Sequence, residues 1–119
     1  MTDGKLMENL IKTMQLEYKA YSGILEIAEK KTDCLIKNDI RALSAITEEE
    51  NKAAEKTAQF NEVREQLLIK YCQGNGQDYR TFTLSRLIEQ VQEPYGTQLK
   101  EIRSKLGDTV KKLSERNGI

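Results

Sequence analysis

Met7, Ile11, Met14, Tyr18, Tyr21, Leu25, Ala28, Thr32 and Leu35 stand alternately four and three residues apart. An α-helix completes a turn every 3.6 residues, so this spacing lines all nine side chains along one stripe of a long helix. Ala28 is small and Thr32 half-polar; the other seven are plainly apolar. Leu6, Leu10, Ile24 and Ile27 flank the line and widen it. A two-stranded coiled coil buries only a narrow seam and would leave those flanking residues wet. A stripe of this width requires at least two partner helices, which means a bundle. The first helix is therefore expected over residues 4–37, with Thr2 or Asp3 as its N-cap.

Asn38-Asp39 breaks the pattern, and Asp39 can cap a second helix by accepting from the amide of Arg41 or Ala42. That helix is expected over 39–72, with Ile46, Ala53, Phe60 and Leu67 as its main line and Leu43, Val63 and Tyr71 in support. Glu50, Thr57 and Arg64 fall on the complementary heptad positions, so its seam is weaker than the first. Between Glu48 and Gln59 the only apolar residues are Ala53, Ala54 and Ala58. They bury little area at about 25 cal/mol per Å², and this stretch is expected to be the least stable. Gly74-Asn75-Gly76 ends the helix, since glycine and asparagine tolerate the left-handed conformation. A polar, mobile loop is expected over 73–82, with Thr83 as the cap of the next helical segment. Leu84, Leu87, Ile88 and Val91, then Tyr95, Leu99, Ile102, Leu106, Val110 and Leu113, mark a third stretch over 84–116, broken near Pro94. Asn117-Gly118 reads as its stop signal. The fold class is all-α: one elongated antiparallel bundle of three main helices, forming a single domain over 1–119.

Composition agrees with an elongated shape. Only 38 % of the 119 residues are hydrophobic and 32 % are charged, which suits helices that each bury one stripe better than a compact sphere. Nineteen basic and nineteen acidic side chains cancel, so no net field favours nucleic acid or an anionic membrane. No apolar run approaches the roughly 18 residues of a membrane span, and the amino terminus has no secretory pattern. A cytoplasmic location is the expectation.

The chain offers little to catalysis. It contains no histidine, so the Glu-x-x-His pairs of di-iron bundles are missing, and no metal or other cofactor is implied. Tyr18, Tyr21 and Tyr95 fall at core spacing and read as packing residues. Glu48-Glu49-Glu50 reads as a solvated face near the positive end of the second helix. Asn51, Asn61 and Arg64 lie on or beside the second seam; Arg64 reads as an arginine at the core edge, paired with Glu62 or with an inward acid of the first helix. A cysteine nucleophile needs a histidine or another stabiliser of its thiolate, and Cys34 instead follows the acidic Asp33. An enzyme is not expected; function should reside in helical surfaces.

Four segments together resemble the FlgN family of flagellar export chaperones. They are the turn Leu35-Ile36-Lys37-Asn38-Asp39-Ile40-Arg41-Ala42-Leu43, the stretch Phe60-Asn61-Glu62-Val63-Arg64-Glu65-Gln66-Leu67, the segment Thr83-Leu84-Ser85-Arg86-Leu87-Ile88 after a glycine-containing loop, and the helix from Leu99 through Ile102, Arg103 and Leu106 to Leu113-Ser114-Glu115-Arg116-Asn117. The resemblance implies a chaperone that binds hook-associated proteins of the hook–filament junction and prevents their premature assembly. It implies delivery to the flagellar type III export apparatus, without catalysis or cofactor. In that family a client-associated amphipathic helix follows the asparagine matching Asn117, whereas this sequence ends at Ile119. Partner binding then falls on Leu99, Ile102, Leu106, Val110 and Leu113, which read as either core or groove, with core favoured because three stripes suffice to bury one another. Two alternatives stand beside this reading: a coiled-coil homodimerisation module with no secreted client, and a chaperone for another flagellar subunit such as the filament cap.

The two cysteines test the hairpin. If residues 5–37 and 39–72 pack antiparallel, roughly 33 residues of helix place Cys34 and Cys72 about 50 Å apart. A disulfide spans Cα atoms at most about 7 Å apart. Mass spectrometry under non-reducing conditions should find no Cys34–Cys72 bridge within one chain.

Overall fold

The computed structural model describes residues 2–116, with the side chains of residues 2, 3 and 116 set aside. It contains four α-helices and, among the described residues, no strand: α1 (Thr2–Lys37), α2 (Ile40–Gly74), α3 (Leu84–Gln90) and α4 (Tyr95–Arg116), with a short 3-10 turn at Tyr79–Thr81. The bundle measures 55 × 23 × 20 Å. At 1.5 Å per residue the 36-residue α1 accounts for its whole length.

The helix ends follow from local chemistry. Asn38 takes a left-handed backbone at φ 56°, and the Asp39 amide returns to the Cys34 carbonyl at 3.0 Å, closing α1. One residue later the Asp39 carboxylate accepts from the Ala42 amide at 3.2 Å and opens α2. Asn75 ends α2, its amide donating to the Tyr71 and Cys72 carbonyls, and Gly76 follows at φ 64°, where a side chain would be strained. Thr83 caps α3 through the Arg86 amide at 3.2 Å. The backbone of α1 is already helical at Thr2; the capping roles assigned to the Thr2 and Asp3 side chains, and the stop at Asn117-Gly118, lie outside the described residues.

Two expectations change. The third stretch is two helices, α3 and α4, joined by residues 91–94 with a cis Glu93–Pro94 bond. The loop after α2 is also built, not loose. Asp78 accepts from the Arg80 amide, and Tyr79 and Phe82 pack against the core, where the Phe82 ring lies 5.7 Å from that of Tyr71. Its polar residues face outward while two aromatic residues anchor it.

α1 is the central member. It packs against α2 on one side and α4 on the other, and α4 also meets α3; among the described residues no Cα of α2 comes within 8 Å of one of α4, although side chains of both enter the same core. α2 runs antiparallel to α1, as the cross-helix pairs Glu17–Arg64 and Lys31–Glu50 fix. α4 runs parallel to α1: a Cβ added at Gly4 would lie 3.4 Å from the Tyr95 hydroxyl, and Lys105 stands 5.8 Å above the Tyr18 ring. With Lys105 level with Tyr18, the last residue of α4 reaches only about residue 29 of α1.

That length difference shapes the core. Met7, Leu10, Ile11 and Met14 of α1, Leu68 and Tyr71 of α2, Leu87 of α3, and Leu99 and Ile102 of α4 form one buried cluster. From Tyr18 to Ala28 the stripe is half-buried, and at Thr32 and Leu35 it is exposed. The sequence places Leu35 on the buried seam. The structure leaves it 61 % exposed because α4 has ended before reaching it.

The Glu17–Arg64 pair closes the core cluster on its tip-ward side. Glu17 is 2 % exposed, its Oε1 lies 2.9 Å from Arg64 Nε, and neither atom has a hydrogen-bond partner among the described residues. Arg64 also reaches the Asn61 side-chain oxygen through Nη2. Glu62 is therefore not its ion-pair partner. Burial raises the Glu17 carboxyl above its usual 4.5, and the Arg64 charge and contact pull it partly back.

Two measurements follow. Gly107 sits inside α4 with nothing within 4 Å of an added Cβ, so Gly107→Ala should raise chemical-denaturation stability by about 1 kcal/mol. A buried acid with a raised folded value binds its proton more tightly in the native state. Its contribution therefore strengthens as pH falls through the raised value toward 4.5, and weakens as pH rises back. Urea titrations between pH 7 and 4.5 should show that gain in the native protein and lose it in Glu17→Gln.

Candidate functional site

Most side chains able to carry chemistry are occupied with packing. Tyr18 is half-buried under Lys105, Tyr95 packs against the core beside Gly4, and Tyr21 is half-buried on the α1 stripe. Of the glutamate run, Glu48 and Glu49 are exposed and Glu50 pairs with Lys31 at 3.2 Å. Asn51 and Asn61 are exposed on α2.

The thiols are both free. Cys72 is buried behind the 3-10 turn, and that burial, with Asp78 nearby, pushes its thiol upward. A protonated, covered thiol is a poor nucleophile. Asp78 is itself held down by its hydrogen bonds from Arg80. Burial, then Glu65, which accepts from the hydroxyl at 3.2 Å, pushes Tyr79 up. These groups fasten the 3-10 turn to α2. Beside them Tyr71 donates to Gln90 Oε1 at 3.1 Å, and the amides of Gln77 and Gln90 bond reciprocally, which ties α3 to the same end. Among the described residues no group of three or more cysteine, aspartate or glutamate side chains converges as a metal site.

What the packing leaves open is apolar. Val63 on α2 is 47 % exposed and lines, with Leu67, Gln59, Glu62, Gln66 and Lys70, a shallow concavity of about 400 Å³. Phe60, one turn away, is half-buried. On α1 the Glu17 contact marks the side covered by α2 and the Tyr18 contact the side covered by α4; Tyr21, Leu25 and Ala28 lie between those two directions and are half-buried. The backbones of α2 and α4 stay more than 8 Å apart among the described residues, and the strip between them is only half covered.

The α4 row divides. Leu99 and Ile102 are fully packed in the core, which withdraws them from a partner surface in this conformation. Leu106 and Leu113 are half-buried, and Val110 is 46 % exposed. A further exposed group was not singled out as a surface in the sequence, where Leu35 stood only as a seam residue: Leu35, Ile36 and Ile40 crowd the hairpin tip, the last two 78 % and 74 % exposed. Their closeness depends on the turn, but three large aliphatics within six residues of a helix break were the available signal.

No helix among the described residues is long and apolar enough to cross a membrane. An arrangement of this kind, with its polar groups used in structure and apolar side chains left in open concavities, is suited to holding another polypeptide. Comparison with curated proteins and with solved structures gives no match. Comparison with family models gives one described as FlgN protein, which matches residues 1–119. The chain belongs to the FlgN family of flagellar export chaperones.

Proposed function

We infer that this protein is a cytoplasmic chaperone that binds hook-associated subunits, keeps them from assembling prematurely and delivers them to the flagellar type III export apparatus. Family membership supplies the class. The observation that carries the binding mode is the uncovered apolar shelf on α2, where Val63 stands half in solvent beside Leu67. An amphipathic helix of a client can lay its apolar face there, placing its own side chains at i, i+3, i+4 and i+7 into the concavity. Covering such a helix removes the surface through which the subunit would polymerise.

The distal part of α4 extends the same reading. Leu106, Val110 and Leu113 belong to the surface offered to the client, while Leu99 and Ile102 hold α4 to α1 and keep that surface in place. Binding of this sort needs no cofactor and no chemistry. Its strength depends on apolar area and on how little either partner must reorganise.

A charged residue placed in the shelf tests this. Val63→Asp combined with Val110→Asp should weaken binding to a hook-associated subunit tenfold or more by calorimetry, about 1.4 kcal/mol at least. Both sites are about half exposed and outside the core cluster, so the thermal midpoint should move little. Native protein that binds no hook-associated subunit would remove the client assignment, and binding of the filament cap alone would reassign it.

A further inference from the structure

We propose that the Glu17–Arg64 pair selects the register in which α1 and α2 pack, excluding the shifted alignments that the repeating seam would otherwise admit. The apolar line of α2 is periodic: Ile46, Ala53, Phe60 and Leu67 recur every seven residues, so a seven-residue slide puts each where its neighbour stood. Small and weakly apolar residues dominate the middle of that helix, and they penalise a slide little. At the opposite end Leu68 and Tyr71 resist it. The turn does not forbid it, because the last turn of α1 is exposed and its unwinding supplies the three or four residues required.

The charges discriminate where the apolar line does not. In the observed register Glu17 meets Arg64 at 2.9 Å. Sliding α2 by three, four or seven residues in either direction brings Thr57, Phe60, Asn61, Leu67, Leu68 or Tyr71 to the place of Arg64, none of them a cation. Seen from Arg64, the same slides bring Leu10, Thr13, Met14, Ala20, Tyr21 or Ile24 to the place of Glu17, none of them an acid. Every alternative therefore strands a carboxylate on the buried face of α1 and a guanidinium beside it. An unpaired buried charge is far costlier than a paired one, even where the pair itself adds little to stability. The raised Glu17 carboxyl and the lack of other hydrogen bonds at the two facing atoms fit a pair kept for alignment more than for strength.

Pulsed electron–electron resonance reads the register directly. Nitroxides at Lys12 and Lys52, both exposed, are placed on a full-length background with Cys34→Ser and Cys72→Ala. These sites are offset along the bundle, so a slide of one helical turn changes their separation by about 5 Å. With the native pair a single narrow distance is expected. Glu17→Leu with Arg64→Leu should remain helical and unfold cooperatively, yet show added distances displaced by about 5 Å or a multiple of it. The reversed pair, Glu17→Arg with Arg64→Glu, should restore one distance. A leucine pair that keeps the single native distance would overturn the proposal. So would a leucine pair that fails to fold, because the charges would then hold the hairpin together instead of choosing its alignment. Several distances in the reversed pair would overturn it too.

Discussion

Everything in this molecule hangs on α1 being covered from two sides by helices whose backbones stay apart from each other. α2 and α4 each bury against α1, and only the short α3 and the 3-10 turn complete the enclosure at one end. Where all these elements coincide, Met7, Leu10, Met14, Leu87 and Leu99 are sealed. Burial of a leucine or methionine side chain contributes on the order of 1.5–3 kcal/mol, and this cluster concentrates that contribution in one half of the bundle. Further along, the same stripe of α1 keeps α2 and α4 but loses α3 and the 3-10 turn, then loses α4 as well, and its side chains pass from half-buried to exposed.

This asymmetry lets a small chain combine a defined fold with an open apolar surface. A fully closed bundle would have used its whole stripe internally and left nothing for a partner. A uniformly open one would lack the closed cluster that orders it. Here Tyr71, Gln77, Gln90, Tyr79 and Glu65 lock the crowded end with directional hydrogen bonds. The free apolar side chains stand on helices that are already held by that end. A preordered surface loses less entropy on binding, which matters when its apolar area is modest.

The elements governed by local chemistry were legible in the sequence. Asp39 and Thr83 cap as their residue types require, Gly74-Asn75-Gly76 ends α2, and the wide α1 stripe does demand more than one partner. What escaped depends on how helices are aligned in space. Arg64 could be seen to need an acid, but choosing Glu17 over Glu62 requires the register of α2 on α1, which no single helix encodes. Leu35 belongs to the stripe by periodicity, yet its exposure is decided by where α4 stops alongside α1. The loop over 73–82 looked mobile because its composition is polar; Tyr79 and Phe82 anchor it through contacts distant in sequence. The split of the candidate α4 row has the same origin, since α3 and α1 enclose Leu99 and Ile102 but not Val110.

The short reach of α4 also gives the bundle a direction. Twenty-two residues of α4 run beside thirty-six of α1, so the last turns of the hairpin are a two-helix overhang with no third support. Backbone amides there are guarded by little beyond their own helical bonds, while those near Met14 and Leu68 open only when the whole cluster yields. The lowest-cost openings of such a molecule therefore lie at the tip, away from the locked end.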